Sequence, residues 1–237
     1  MADDQEYPWL DGTEDIFTPK AGCILNASLT YRRGAGFHAY AYGYRRSAEM
    51  LFESMRDLRY ADPQYFALAL LWRQALELTL KRLHESLGQL ELMEEYRTPA
   101  KKASDSATKA PARTHDLRNL WAAIEPRMHR FMPDVPEHGW IARAIEQFHR
   151  VDPKSEEFRY PVKAVNGTKS LNSLPNVVSL SALDHSMRAL MNTLEAAGDE
   201  VDRLFGKHAE ELEREEQTKS EGLSAESTTL PPPGTRR

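Results

Sequence analysis

Arg73, Glu77, Lys81 and His84 stand three or four residues apart inside the most apolar stretch of the chain, ADPQYFALALLWRQALELTLKRLHE. That spacing puts them on one helix face. The simplest role for such a line is a ladder of ion pairs along the helix. On so apolar a helix part of it should be buried, and a buried charge line must be paired and often marks a site. His115 followed by Asp116 is a second candidate, a base with a carboxylate next to it. Neighbours on a helix point about 100° apart, however, so Asp116 is read as favouring a helix N-terminus and His115 as capping or packing locally. Asp152, Glu156 and Glu157 surround Pro153, which reads as the acid-rich start of a helix.

The usual catalytic signatures are absent: there is no P-loop, no dinucleotide-binding glycine fingerprint, no HExxH and no GxSxG. One cysteine, Cys23, excludes an internal disulfide framework and a cysteine-built zinc site. Neither a metal nor a cofactor is expected.

The 237 residues suit one domain with ragged ends, and a hydrophobic content of 41% can build a core. No apolar run approaches the roughly 20 residues of a membrane span. The acidic N-terminus MADDQEYPWLDGTEDIF has no signal-peptide pattern. A cytoplasmic protein without a membrane partner is expected. The net charge of -5 is uneven: residues 1–19 carry six acids and no base, residues 20–194 carry 25 bases against 19 acids, and residues 195–237 carry 6 against 11. A mildly basic body between acidic ends could take a phosphate-backbone partner, although acidic blocks are usually solvated tails.

The elements that must position these residues follow from apolar periodicity. Residues 1–34 show no period and read as an extended arm. A helix begins near Ala35, with Phe37, Tyr40, Ala41, Tyr44, Ala48, Leu51, Phe52 and Met55 inward and Arg45, Arg46, Glu49, Glu53 and Arg56 outward. Its Tyr40, Tyr42 and Tyr44 could contact nucleic acid with Arg45 and Arg46, but Tyr40 and Tyr44 are expected in the core. The second helix opens at Asp62 and Pro63 and buries Leu68, Trp72, Ala75, Leu76, Leu80 and Leu83, with a break near Gly88. Residues 98–112 read as a flexible basic loop. A third helix is expected from THDLRNLW, with Thr114 as N-cap and Pro126 ending or kinking it. A fourth covers 137–151. Asn166-Gly167 signals a β-hairpin over 158–172. The last helix repeats Leu180, Leu183, Met187, Leu190, Leu194, Ala197, Val201 and Leu204, a seam that could close a bundle or recruit a partner. The fold class is thus all-α, an up-and-down bundle of about five helices within 35–210, followed by a disordered acidic tail over 211–237.

LLWRQALELTLKRL, then THDLRNLW, then DPKSEEFRYPV and a closing helix is an order that resembles the HEPN superfamily (higher eukaryotes and prokaryotes nucleotide-binding domain). It is similar to the bacterial branch with an R-x-A-L-E-L-x-L-K helix, a (G/T)-H-x-L motif and an F-R-Y-P segment. The likeness spans about Phe37 to Phe205. It implies an all-helical bundle, frequent homodimers, RNA or nucleotide as partner, and in many members metal-independent RNA cleavage in toxin or defence systems. Other members are non-catalytic, and a dimeric protein-interaction module is the alternative.

Nucleases of this kind carry an arginine four to six residues before a histidine. Here Arg32 and Arg33 precede His38, Arg143 precedes His149, and Arg203 precedes His208. The resemblance then implies Arg143 and His149 as the catalytic pair, with Arg73, Glu77, Lys81, His115 and Arg159 binding substrate or bracing the site. Histidine would assist the ribose 2′-hydroxyl or its leaving group, and arginine would stabilise the phosphorane.

Overall fold

Leu68, Trp72, Leu76, Leu80, Leu83, Leu87 and Leu90 are all buried, and Arg73, Glu77, Thr79, Lys81 and His84 between them are buried too. A helix apolar on nearly every side needs neighbours on nearly every side. The computed structural model describes residues 36–56, 62–97, 114–133, 138–163 and 167–227, and within them this helix is the hub. Five helices form: α1 (Gly36–Met55), α2 (Asp62–Arg97), α3 (Leu117–Phe131), α4 (His138–Val151) and α5 (Leu180–Ser227). α2 packs against α1, α3 and α5, and α4 completes the bundle against α3. The fold is an all-α helical bundle. The expected arm over 1–34 and loop over 98–112 lie outside the described residues.

α2 runs unbroken through Gly88. A side chain there would put its Cβ 3.2 Å from Arg127 Nη2, so the glycine serves close approach of that guanidinium rather than a break. Arg127 donates to the His84 carbonyl at 3.2 Å and to Glu91 Oε2 at 2.7 Å, tying α3 to α2. α3 likewise does not end at Pro126 but continues to Phe131. Buried Ile124 and Met128 anchor both sides of the proline, and packing outweighs the lost backbone bond. The N-cap of α3 is Asp116, not Thr114: its Oδ1 accepts the Asn119 N–H at 3.0 Å, while Thr114 Oγ1 accepts the Asp116 N–H at 3.1 Å.

Two expectations for α1 are reversed. Tyr40 is 58% exposed and stands outside the core that Tyr44 packs against. Glu49 is buried instead of facing water, because Arg45, Arg46 and Arg188 converge on it. Arg45 also donates to Asn192 Oδ1 at 2.6 Å and pairs with Glu195 at 2.5 Å, and Arg188 lies 3.5 Å from Glu53, so ion pairs tie α1 to α5.

The seam of α5 faces inward, with Met187, Leu190, Met191, Leu194, Ala197 and Val201 buried in the core. α5 then runs on to Ser227, so residues 211–227 are helical rather than the disordered segment expected. ELEREEQTKSE is rich in strong helix formers, and Arg214 donates back to Glu210 at 3.1 Å. The hairpin expected over 158–172 is reduced to a single antiparallel bridge between Val162 and Lys169. Lys163 N–H donates to Thr168 O at 2.8 Å and Gly167, at φ +65°, donates to Lys163 O at 2.9 Å. Asn166 lies outside the described residues. Pro161 offers no donor, and residues 156–160 wind into a turn instead of extending. Among the described residues no helix is long and apolar enough to cross a membrane.

Candidate functional site

Glu77 is the centre of the polar network. Its side chain is 2% exposed, and each oxygen is engaged: Arg73 Nη1 donates to Oε2 at 3.0 Å, and Lys81 Nζ donates to Oε1 at 2.8 Å. The i, i+4 spacing along α2 places all three by itself. What the helix cannot supply arrives from α3. The extended segment before its N-cap lays the His115 carbonyl on Arg73 Nη2 and sets the His115 ring with Nδ1 2.9 Å from Glu77 Oε1. His115 is therefore held twice, by its backbone and by its imidazole.

Burial divides the labour among these groups. The side chain of His115 is 57% exposed, whereas those of Arg73, Glu77 and Lys81 are inside. Burial pushes the Glu77 carboxyl up, but the hydrogen bond from Lys81 and the charges of Arg73, Lys81 and His115 outweigh it and hold the group below the usual carboxylate range. Burial also lowers the Arg73 guanidinium. Glu77 and Asp152 offset part of that, and the nearby charge of Arg159 adds to it. An ionised carboxylate can only accept, so Nδ1 is the donor in this contact, and in the neutral imidazole that tautomer puts the lone pair on Nε2. An accessible imidazole backed by an ionised carboxylate is the arrangement of a general base and its orienting group.

The segment after α4 closes the other side of Arg73. Asp152 is fully buried, and its Oδ1 accepts the backbone N–H of Glu156 at 2.7 Å and of Glu157 at 3.1 Å. Asp152, Glu156 and Glu157 thus build a turn, not the helix start expected of them. Ser155 adopts φ +61°, a left-handed conformation strained for serine. That conformation accompanies an Oγ that accepts from Gln74 Nε2 at 2.7 Å and from Arg159 Nη2 at 3.1 Å. Phe158 anchors the turn in an aromatic cluster with Tyr65 and Phe148, at ring-centroid distances of 6.2 and 6.5 Å. Arg159 itself remains exposed.

Three segments far apart in sequence, 73–81, 114–117 and 152–159, therefore meet. Arg73, Glu77, Lys81 and His115 form one bonded network, and Arg159, bonded to Ser155 and through it to Gln74, acts on Arg73 by charge. His149 is buried, with Nδ1 3.2 Å from Asp116 Oδ1, so it adjoins the network through the residue next to His115. Arg143 stands elsewhere: it is exposed and lines a groove between α3 and α4. On a regular helix an offset of six residues turns its side chain roughly 120° away from His149. The bracing roles of Asp152, Ser155 and Gln74 escaped the sequence reading. The signal for Asp152 was available, since an aspartate closing a helix ahead of Pro and Ser commonly accepts backbone bonds in a turn. Among the described residues no group of three or more His, Cys, Asp or Glu is arranged to hold a metal ion. The fold and network define a helical-bundle protein with a buried ion-pair ladder behind one accessible histidine. No known protein family, curated protein or solved structure matches the chain.

Proposed function

We propose that the chain is a HEPN-like, RNA-directed protein whose working histidine is His115, acting in metal-independent cleavage of the RNA backbone. The observation that carries the reading is the pair itself: an exposed imidazole whose Nδ1 lies 2.9 Å from a buried carboxylate that two cations keep ionised. In this chemistry Nε2 takes the proton of a ribose 2′-hydroxyl, and the 2′-oxygen attacks the adjacent phosphorus. The 5′-oxygen leaves and takes a proton from water, and the imidazolium returns its proton to the solvent, so the products are a 2′,3′-cyclic phosphate and a 5′-hydroxyl end. Arg159, an exposed cation tied to α2 through Ser155 and Gln74, stabilises charge on the phosphorane. Arg73 and Lys81, being buried, act on the reaction by positioning Glu77 and His115. The geometry favours His115 over the pair Arg143 and His149, because His149 is enclosed against Asp116 and Arg143 faces another surface. The resemblance adds a cytoplasmic homodimer and a toxin or defence setting to this reading.

The test is RNA cleavage in EDTA by the parent and by His115→Ala, Glu77→Gln and His149→Ala. Loss of at least 100-fold in His115→Ala with intact fold is expected, in line with the roughly 10²–10⁴-fold contribution of general acid–base groups. Activity that survives His115→Ala and vanishes in His149→Ala would move the role to His149.

A second reading, a non-catalytic dimeric interaction module, has its own observation. Both Glu77 oxygens are engaged within the chain, so the ladder also serves as a brace between α2 and α3. Absence of cleavage by a well-folded parent protein would favour it.

A further inference from the structure

The groove between α3 and α4 holds about 640 Å³ and is floored by apolar side chains, Trp121 and Ile145 among them. Its rim carries Arg118, Arg143 and Arg150 against Glu125 and Glu146. Arg118 and Glu146 neutralise each other through two hydrogen bonds at 2.9 and 2.6 Å. Arg143 and Arg150 are both exposed, and Arg150 lies close enough to Glu146 for its charge to join that of Arg118 in holding the carboxyl low. Three guanidinium groups thus face two carboxylates, Glu125 and Glu146, which leaves the groove with an excess of positive charge.

Seven residues separate the two arginines on α4, so they share one face about 10 Å apart along the axis. That reach suits an extended polyanion and exceeds what one small anion could bridge. The groove also leads to the candidate site. Arg118 lies three residues beyond His115, and Arg150 directly follows His149, whose ring faces Asp116. A chain lying along the groove would pass from Arg143 to Arg150 and arrive at the N-terminus of α3, where His115 is exposed.

We infer that the α3–α4 groove is a track for the phosphate backbone of single-stranded RNA, gripped by Arg143 and Arg150 and delivered to His115. The inference rests on the RNA-directed reading above. It gives Arg143 a binding role in place of a catalytic one, and adds Arg150, which no motif marked. Guanidinium contacts to phosphate position a strand without reading its bases, so the grip should be indifferent to sequence.

The test measures binding of short, unstructured 2′-O-methyl RNAs of different sequence, which offer no 2′-hydroxyl nucleophile, across a range of salt. The parent is compared with Arg143→Gln/Arg150→Gln and with Arg214→Gln, a control on the distant part of α5. The double variant should bind every sequence more weakly, and its slope of log K against log salt should fall by about 0.7 for each arginine lost. The control should match the parent. Parent binding with an unchanged slope in the double variant would overturn the groove and leave the RNA reading standing. A parent that binds none of these RNAs at low salt would overturn both. A double variant that still binds and has the parent's circular dichroism shows that lost affinity is not lost fold.

Discussion

His115 Nδ1 lies 2.9 Å from Glu77 Oε1, across 38 residues of sequence, with the imidazole in solvent and the carboxylate inside. The relationship binds the start of α3 to the middle of α2 and sets an exposed imidazole against a buried charge network. Stability and candidate chemistry therefore depend on the same carboxylate.

Glu77→Gln keeps the shape of the side chain but removes the charge that Arg73 and Lys81 are buried against. Breaking a buried pair from one side costs about 3–5 kcal/mol, because the partner charges are left uncompensated. Urea denaturation should show a loss of that order. A midpoint equal to the parent's would mean that the ladder is hydrated and of little consequence.

Acid should destabilise the protein in two windows. Burial, aided by the charge of Arg127, lowers the pKa of His84, so the unfolded chain takes up that proton first. Stability is complete above the unfolded value of about 6.5 and declines as pH falls below it. The Glu77 carboxyl is also held low in the fold, so its contribution is present above the ordinary carboxylate range and is lost as pH falls through the folded value. Urea midpoints followed from pH 7 to pH 3 should fall in both ranges. His84→Gln should flatten only the upper range and Glu77→Gln only the lower, and the reverse assignment would refute this account.

Gly88→Ala sets two effects against each other. Alanine gains about 1 kcal/mol of helix propensity over glycine, but its Cβ would stand 3.2 Å from Arg127 Nη2. That guanidinium is fixed at both ends by the His84 carbonyl and Glu91, so it has little room to yield. The substitution should fail to stabilise the parent, yet should recover about 1 kcal/mol when made in an Arg127→Met background. A stabilised Gly88→Ala in the parent would show that the arginine gives way freely.

Pro126→Ala should stabilise. The proline sits in the interior of α3 with its side chain exposed, where it removes one backbone hydrogen bond and no packing compensates through the ring. A proline in a helix interior costs about 3 kcal/mol, and part of that, about 1–3 kcal/mol, should return as a higher melting temperature. A lower melting temperature would assign the ring a contact of its own.

Periodicity in the sequence was enough to place the five helices and most of the core, because a buried stripe must recur every three or four residues whatever the stripe faces. The burial of Arg73, Glu77 and Lys81 was also readable, since a polar line on a helix this apolar cannot avoid its neighbours. What the line would bond to was not readable. His115 meets Glu77 and not its neighbour Asp116, Asp116 meets His149, and Arg159 reaches Gln74 through a strained Ser155. α2 does not break at Gly88 and α3 does not end at Pro126 for the same reason: each residue's helix preference is worth a few kcal/mol at most, and the packing of α3 on α2 outweighs it. Sequence alone determined which residues share a face of each helix, though not, at Tyr40 and Glu49, which of them the bundle buries. Only the tertiary structure decided which faces meet, because that choice depends on contacts between residues tens of positions apart, to which no local pattern is sensitive.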